Sequence, residues 1–206
     1  MQTPGDLLRN GIRDLGLTYT EEQIASFLTY LTELKKWNKA YNLTGAKNDR
    51  EIIIKHFLDS LLFSKVLPPC TQTVADIGSG GGFPGIPVKI MNPRLRVFLV
   101  EPTQKKAVFL QHIYNKLGLR DIEIINKRIE EAEGLKVDAA MTRALFSVRE
   151  FIEKAGKILN KDGVLILSKG PKLEEELKGL DMSVTVTDLK LPFEETVRHL
   201  VVVKGG

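Results

Sequence analysis

The stretch Val74-Ala75-Asp76-Ile77-Gly78-Ser79-Gly80-Gly81-Gly82-Phe83-Pro84-Gly85-Ile86-Pro87 decides the fold of this chain. A short apolar segment ends at Asp76, and five glycines follow among the next nine residues. Glycine allows positive φ and lets a ligand approach the backbone closely, and a helix after the turn offers unpaired N–H groups. The stretch therefore predicts a strand, a cofactor-binding turn and a helix.

The composition sets the limits within which this turn must work. With 206 residues, 43% of them hydrophobic, the chain can form one α/β domain with a small appendage. The balance of 30 Lys and Arg against 26 Asp and Glu permits a polyanionic partner without demanding one. A single cysteine, Cys70, excludes an internal disulfide and a cysteine-based zinc cluster, and we expect it to be buried. Neither a membrane span nor a signal peptide is indicated, so we expect a cytoplasmic protein.

Residues 1–69 predict a helical cap. A weak helix is expected at 5–17, interrupted by Gly11, and a stronger amphipathic helix at 21–39. Asp49 is expected to cap a third helix. Lys35, Lys36 and Lys39, on the polar side of the second helix, are interpreted as a solvated face, with an RNA contact as the alternative.

Residues 73–206 show strands that alternate with helical stretches, which is typical of a parallel sheet covered on both faces. Two more segments follow in which apolar and polar residues alternate. A loop of about nine residues joins them, and so short a connection favours an antiparallel pair of strands. Together they predict a Rossmann-like, seven-stranded and mostly parallel sheet of the class I S-adenosylmethionine-dependent methyltransferase type. The strands are expected at 74–77, 96–100, 122–126, 138–142, 164–168, 183–189 and 199–203.

Three kinds of cofactor-binding turn are rich in glycine and must be distinguished here. A P-loop is excluded because Ile86 and Pro87, instead of Lys and Ser or Thr, follow the last glycine. Residues 80–85 match the dinucleotide fingerprint G-x-G-x-x-G, and Glu101 lies at the tip of the next strand, where a carboxylate can bind ribose hydroxyls. Asp76, however, would repel a pyrophosphate and suits a cationic amino-acid ligand. The residues favour S-adenosylmethionine and leave a nicotinamide dinucleotide as the alternative.

Residues 76–87 are similar to the signature of the rRNA small subunit methyltransferase G family, also called glucose-inhibited division protein B. The Phe-Pro-Gly-Ile-Pro segment separates this family from other methyltransferases. The resemblance covers nearly the whole chain, through Tyr41-Asn42-Leu43-Thr44, Lys55-His56-Phe57-Leu58-Asp59-Ser60-Leu61, Arg143-Ala144 and Arg198-His199-Leu200-Val201-Val202-Val203-Lys204.

The resemblance implies a bacterial enzyme that uses S-adenosylmethionine to methylate N7 of one guanine in the helix-18 loop of 16S ribosomal RNA. Its partner would be that RNA or the small-subunit particle. We also expect a monomer, and no metal because His112 and His199 have no ligand-spaced partners. The donor-binding residues it implies are Asp76, Gly78, Gly80 and Phe83 around the methionine part, Glu101 at the ribose, and Ile129 and Glu130 at the adenine.

Two arginines are the catalytic candidates that the resemblance implies. Arg143 would contact the donor or the target base, with a surface pair to an acid such as Glu150 as the alternative. Arg198 would lie near the RNA, or else at a solvated strand end. Glu130 taken alone could also be an ordinary helix-start acid, and His56 is interpreted as a hydrogen-bonded packing residue.

The residues after the fourth strand agree with an attack that needs no base. Residues 141–144 lack the Asp/Asn-Pro-Pro-aromatic motif with which amino-directed enzymes remove a proton from an exocyclic amine. Cys70 precedes the glycine turn, so it is not expected to act as a nucleophile toward pyrimidine C5. Guanine N7 carries an in-plane lone pair, so alignment alone is required. A small-molecule methyltransferase, a nicotinamide dehydrogenase and a non-catalytic ribosome-binding module remain alternatives.

Overall fold

The computed structural model describes residues 2–143, 145–170, 173–178, 180 and 183–205. The helices are α1 (Pro4–Asp14), α2 (Glu21–Tyr41), α3 (Asp49–Ile52), α4 (Asp59–Leu61), α5 (Gly85–Met91), α6 (Gln104–Lys116), α7 (Val148–Ala155) and α8 (Leu173–Leu177). A π-helical turn, Ile53–Leu58, joins α3 to α4, and 3₁₀ turns cover Leu62–Lys65, Ile129–Glu131 and Gly156–Ile158. The strands are β1 (Thr73–Ile77), β2 (Arg96–Val100), β3 (Ile122–Ile125), β4 (Val137–Arg143), β5 (Leu159–Lys169), β6 (Val184–Lys190) and β7 (Val197–Lys204).

The seven strands form one sheet in the order β3-β2-β1-β4-β5-β7-β6. β1 to β5 run parallel, while β7 runs antiparallel to both β5 and β6. The predicted parallel strands and closing antiparallel pair are thus confirmed. Because Lys169 at the end of β5 lies opposite His199, the beginning of β7 meets the carboxyl ends of the parallel strands at one edge. Arg198 and Arg143 are thereby brought to the same edge of the sheet.

Some local predictions were wrong. A helix was expected between β3 and β4, but that connection contains only the 3₁₀ turn. Only residues 191–196 separate β6 from β7, fewer than predicted, because both strands extend toward the turn. Cys70 is exposed instead of buried, since it lies in the turn that follows the cap.

The cap helices also differ from the sequence prediction. Gly11 does not interrupt α1; it lies within the helix where a Cβ would come 2.3 Å from Leu58 Cδ1. The glycine therefore permits close packing of α1 on the third helical segment. Asn48, one residue before the predicted cap Asp49, caps that segment by accepting a hydrogen bond from the Glu51 N–H.

The cap and the sheet share one apolar core. A single cluster of buried side chains contains Phe27 and Phe57 from the cap together with Val97, Leu99 and Ile166 from the sheet. A second cluster fills the opposite face beneath α7. The division of the chain near residue 69 stays a prediction. Among the described residues, none of the helices combines the length and the apolar character needed to cross a membrane.

The Gly11 contact gives a stability prediction. Replacing glycine by alanine within a helix is usually favourable by about 1 kcal/mol, but a methyl group at this position would collide with Leu58 and approach Phe193. Overpacking of this kind costs about 1–3 kcal/mol. We expect Gly11→Ala to lower the free energy of unfolding in denaturant titrations. Gly5→Ala in the same helix is the control, because the nearest atom there belongs to the flexible end of Arg9; an equal loss in both variants would contradict the packing argument.

Candidate functional site

The glycine turn after β1 is built into the core on both sides. Gly82 has φ +94°, and a Cβ there would come 2.5 Å from the Tyr30 hydroxyl. That hydroxyl donates to the carbonyl of Gly81, which fixes the turn against α2. The Phe83–Pro84 peptide bond is cis, and α5 begins directly after it. Glycine is required here because the side chains of Tyr30 in the cap and Ile86 in α5 both approach position 82 too closely for a Cβ.

Asp76 lies beneath this turn and is fully buried. Its Oδ2 accepts a hydrogen bond from the Gly85 N–H at 2.8 Å, whereas its Oδ1 has no hydrogen-bond partner among the described residues. Burial raises the pKa of Asp76 to about 7, although the bond from Gly85 and the charge of Arg143 act in the opposite direction. A buried carboxyl group with one unpaired oxygen is costly, which marks this position as a candidate partner for a cation.

Glu101 links two loops at the tip of β2. One carboxylate oxygen accepts from the Gly80 N–H at 2.9 Å, and the other accepts from the Thr103 N–H at 2.8 Å. The side-chain amide of Asn126 donates to the Glu101 carbonyl at 2.8 Å. Each carboxylate oxygen can accept a further hydrogen bond, so Glu101 is held in place while it keeps capacity for ligand hydroxyls.

An apolar cavity of about 180 Å³ opens beside the turn. Its wall includes Ile129, which is buried, and Glu130, whose carboxylate forms an ion pair with Lys154 at the rim. The lining also includes Pro102, Leu145 and Phe146, none of which the sequence analysis identified, although each lies just after a strand end. A larger cavity of about 1050 Å³ lies along β3 and shares only Glu130 with the predicted site.

These features fit S-adenosylmethionine. An apolar slot suits an adenine ring, and the adjoining carboxylate of Glu101 suits ribose hydroxyls. The unpaired oxygen of Asp76 suits an ammonium group nearby. Within the described ranges, no group of His, Cys, Asp and Glu side chains is arranged to hold a metal ion.

The two candidate arginines meet at one carboxylate. Arg198 Nε donates to Asp59 Oδ1 at 2.7 Å, and Arg143 Nη1 donates to Asp59 Oδ2 at 3.2 Å. Arg143 Nη1 also donates to the Lys55 carbonyl at 2.9 Å. Asp59 itself is only 3% exposed. The alternative pairing of Arg143 with Glu150 is not found, because Glu150 instead accepts from Ser147 at the start of α7.

His56 completes this cluster. Its Nδ1 accepts from Arg143 Nη2 at 2.8 Å, and since a guanidinium can only donate, the imidazole is neutral with its proton on Nε2. That proton is donated to the Thr44 hydroxyl. Burial, together with the charges of Arg143 and Lys55, lowers the pKa of His56 to about 3. The ring also stacks on Phe83, with centroids 4.8 Å apart.

The quoted motifs therefore meet in space through named side chains. Thr44, His56 and Asp59 come from the cap, Phe83 from the glycine turn, and the two arginines from β4 and β7. No role was predicted for Asp59 from the sequence, although it lies in the segment Lys55-His56-Phe57-Leu58-Asp59-Ser60-Leu61. The π-helical turn ends immediately before Asp59, and such turns are frequent at functional sites.

The sequence of this chain is similar to those of known proteins of one family. A family model described as rRNA small subunit methyltransferase G matches residues 23–201. The chain is 37% identical over 205 residues to a Francisella philomiragia protein named Ribosomal RNA small subunit methyltransferase G, and 99% of each chain is covered.

Solved structures resemble the fold at low identity. A methyltransferase from Pyrococcus furiosus superposes with a TM-score of 0.62 at 16% identity, over 87% of this chain and 97% of that chain. TYW2 of M. jannaschii, solved in complex with AdoMet, gives a TM-score of 0.53 at 19% identity, over 71% and 73% of the two chains. These likenesses confirm the predicted fold class.

The buried carboxyl of Asp76 gives a pH-dependent stability prediction. With its pKa raised to about 7, the folded protein retains a proton that the unfolded chain loses near its ordinary value of 3.8, so folding loses stability as pH rises between these values. Asp76→Asn removes this loss and can still accept from Gly85. We expect the free energy of unfolding of this variant, relative to that of the wild type, to increase by about 1.4 kcal/mol per pH unit from pH 4 to 7 and to stay constant above pH 7.

Asp138→Asn is the matched control at the opposite sheet edge. Burial raises the pKa of Asp138, but hydrogen bonds from Asn160, Gln72 and Thr73 outweigh it and give a lowered pKa. That variant should lose stability by a constant amount between pH 5 and 8, because its carboxylate is already ionised there. If the Asp76 variant shows the same flat profile, the buried-proton interpretation is wrong.

Proposed function

The chain belongs to the rRNA small subunit methyltransferase G family, and we propose that it methylates N7 of a guanine in the helix-18 loop of 16S ribosomal RNA. Membership of this family confirms S-adenosylmethionine as the methyl donor. The observation that carries the proposal is that the arginine cluster, in the described part of the chain, offers no free proton acceptor; the carboxyl groups of Asp76 and Glu101 are assigned to the methyl donor. His56 and Asp59 are both engaged by arginines.

Guanine N7 suits such a site because it carries no proton. His56, whose pKa is about 3, is neutral at pH 7, and its one basic nitrogen already accepts from Arg143. Asp59 is the counter-ion of two guanidinium groups. An exocyclic amine would need a group that removes its proton, whereas an N7 lone pair needs only alignment with the methyl group in a site from which water is excluded.

When bound, the donor supplies an electrophilic methyl group on a sulfonium. Glu101, fixed by the Gly80 and Thr103 N–H groups, would hold the ribose, and Ile129 with the backbone of Glu130 would hold the adenine. Asp76 would favour the ammonium of the methionine part. Gly78, Gly80 and Phe83 would form the wall around that part.

The two arginines would have different roles. Arg143 is bonded to the Lys55 carbonyl, Asp59 and His56, so we assign it to positioning the cap against β4. Arg198 uses only Nε toward Asp59, and its terminal amino groups have no hydrogen bond in the described ranges. Such a pair of donors can bind guanine O6 or a flanking phosphate. Asp59 would position both guanidinium groups.

The direct test is labelled-methyl transfer to small subunits from cells that lack this enzyme, followed by mapping of the modified base. We expect one labelled guanine in the helix-18 loop, with the methyl group on N7. Label on another base would contradict the assignment of the target. Transfer to small molecules, with none to RNA, would favour a small-molecule methyltransferase, and particle binding without transfer would favour a non-catalytic module.

Two substitutions should separate donor binding from RNA chemistry. Glu101→Ala should weaken S-adenosylmethionine binding by about 1–3 kcal/mol in calorimetry, the cost of an unmade charge-assisted hydrogen bond. Arg198→Ala should leave that affinity unchanged and lower methyl transfer to RNA. Asp59→Asn should resemble Arg198→Ala if Asp59 positions the arginine. Equal loss of donor binding in the Glu101 and Arg198 variants would place Arg198 in the cofactor site instead.

A further inference from the structure

A groove of about 230 Å³ lies at the end of α2, and we call it the lysine groove. Residues 35–48 contain four lysines and no acidic residue. Three of those lysines line the groove. The lining consists of Lys35, Asn38, Lys39, Ala46, Lys47, Asn48 and Ile52.

Two of the three lysines form no ion pair among the described residues, although the Glu51 carboxylate accepts from the Lys47 backbone N–H at 2.7 Å. Lys35 forms an ion pair with Asp49 at 2.5 Å. Lys39 and Lys47 are both exposed, and neither forms an ion pair with any residue in the described part of the chain. The groove therefore presents two free ammonium groups, one from the helix and one from the loop that follows it.

An exposed aromatic side chain lies on the same helix, two residues after Lys39. Tyr41, at the last position of α2, is 40% exposed, and its ring stacks on Trp37 with centroids 5.3 Å apart. Trp37 in turn packs against Phe109 of α6 at 5.6 Å. The exposed tyrosine is thus supported from behind. Unpaired lysines and a supported aromatic ring, both at the end of one helix, are the two kinds of group that bind single-stranded nucleic acid.

The groove is tied to the arginine cluster by hydrogen bonds. The Asn38 side chain donates to the Thr44 carbonyl at 2.9 Å and accepts from the Thr44 N–H at 2.8 Å. The Thr44 hydroxyl contacts His56, which binds Arg143. One continuous set of contacts therefore fixes the loop between Thr44 and Lys47 relative to the candidate base site.

From this geometry we propose that the lysine groove binds the phosphodiester backbone of the RNA strand beside the target base, with Tyr41 stacking on a neighbouring base. The inference rests on the proposed function and adds a phosphate-binding site that it does not require. A negatively charged backbone complements the two free ammonium groups. The hydrogen-bonded loop would set the distance between the bound strand and Arg198.

The test is the salt dependence of RNA binding. The double variant Lys39→Ala/Lys47→Ala should bind 16S ribosomal RNA on the order of 10-fold more weakly. Its plot of log affinity against log salt should be shallower by about 1.4, since each phosphate contact on a single strand contributes about 0.7. Binding of S-adenosylmethionine should not change. Tyr41→Ala should weaken RNA binding without changing this slope, because stacking releases no counterions.

The matched control is Arg120→Ala/Lys161→Ala. It removes two exposed positive charges near the amino-terminal ends of β3 and β5, at the edge of the sheet opposite the two arginines. It changes net charge equally and should keep the wild-type slope. If both double variants share one slope, or if weaker binding comes without a change in slope, the groove does not bind phosphates. RNA binding and methylation are measured separately. If the wild-type protein binds RNA through the groove but transfers no methyl group, the proposed function is wrong while the assignment of the groove stands.

Discussion

The carboxylate of Asp59 is the constraint on which the rest of the site depends. It is almost completely removed from water and is held by two guanidinium groups, at 2.7 Å and 3.2 Å. An unpaired buried carboxylate would be costly, so the two arginines stabilise the closed fold by balancing the charge of Asp59. The same requirement fixes where both guanidinium groups lie, and thereby joins stability of the cap to geometry of the site.

This pairing brings together distant parts of the chain. Asp59 lies 84 residues before Arg143 and 139 residues before Arg198 in sequence. Arg143 reaches the edge of the sheet because it ends β4, and Arg198 does so because β7 runs antiparallel beside β5. Because β7 is antiparallel in an otherwise parallel sheet, its first residues lie at the edge formed by the carboxyl ends of the parallel strands.

Local sequence patterns predicted the elements but not these partners. Apolar runs and glycines predicted the strands and the turn, because strand periodicity and positive φ are properties of neighbouring residues. The role of Asp59 could not be found in this way, since nothing near residue 59 indicates which cations approach it. The prediction that Gly11 interrupts α1 was wrong for a related reason. This glycine allows close packing against Leu58, which belongs to another helical segment. Likewise, Leu145 lines the apolar cavity beside the glycine turn only because β4 and β1 are adjacent.

Asp76 shows why the sequence signature has the form it has. A fully buried carboxyl with an unpaired oxygen weakens the fold near neutral pH, and asparagine could make the same bond to Gly85 without that loss. Stability alone would not favour an acid here. Asp59 is the contrast, because its charge is balanced inside the protein by two arginines. Asp76 forms no such ion pair among the described residues, which is why we propose that it serves the cationic methyl donor that the family uses.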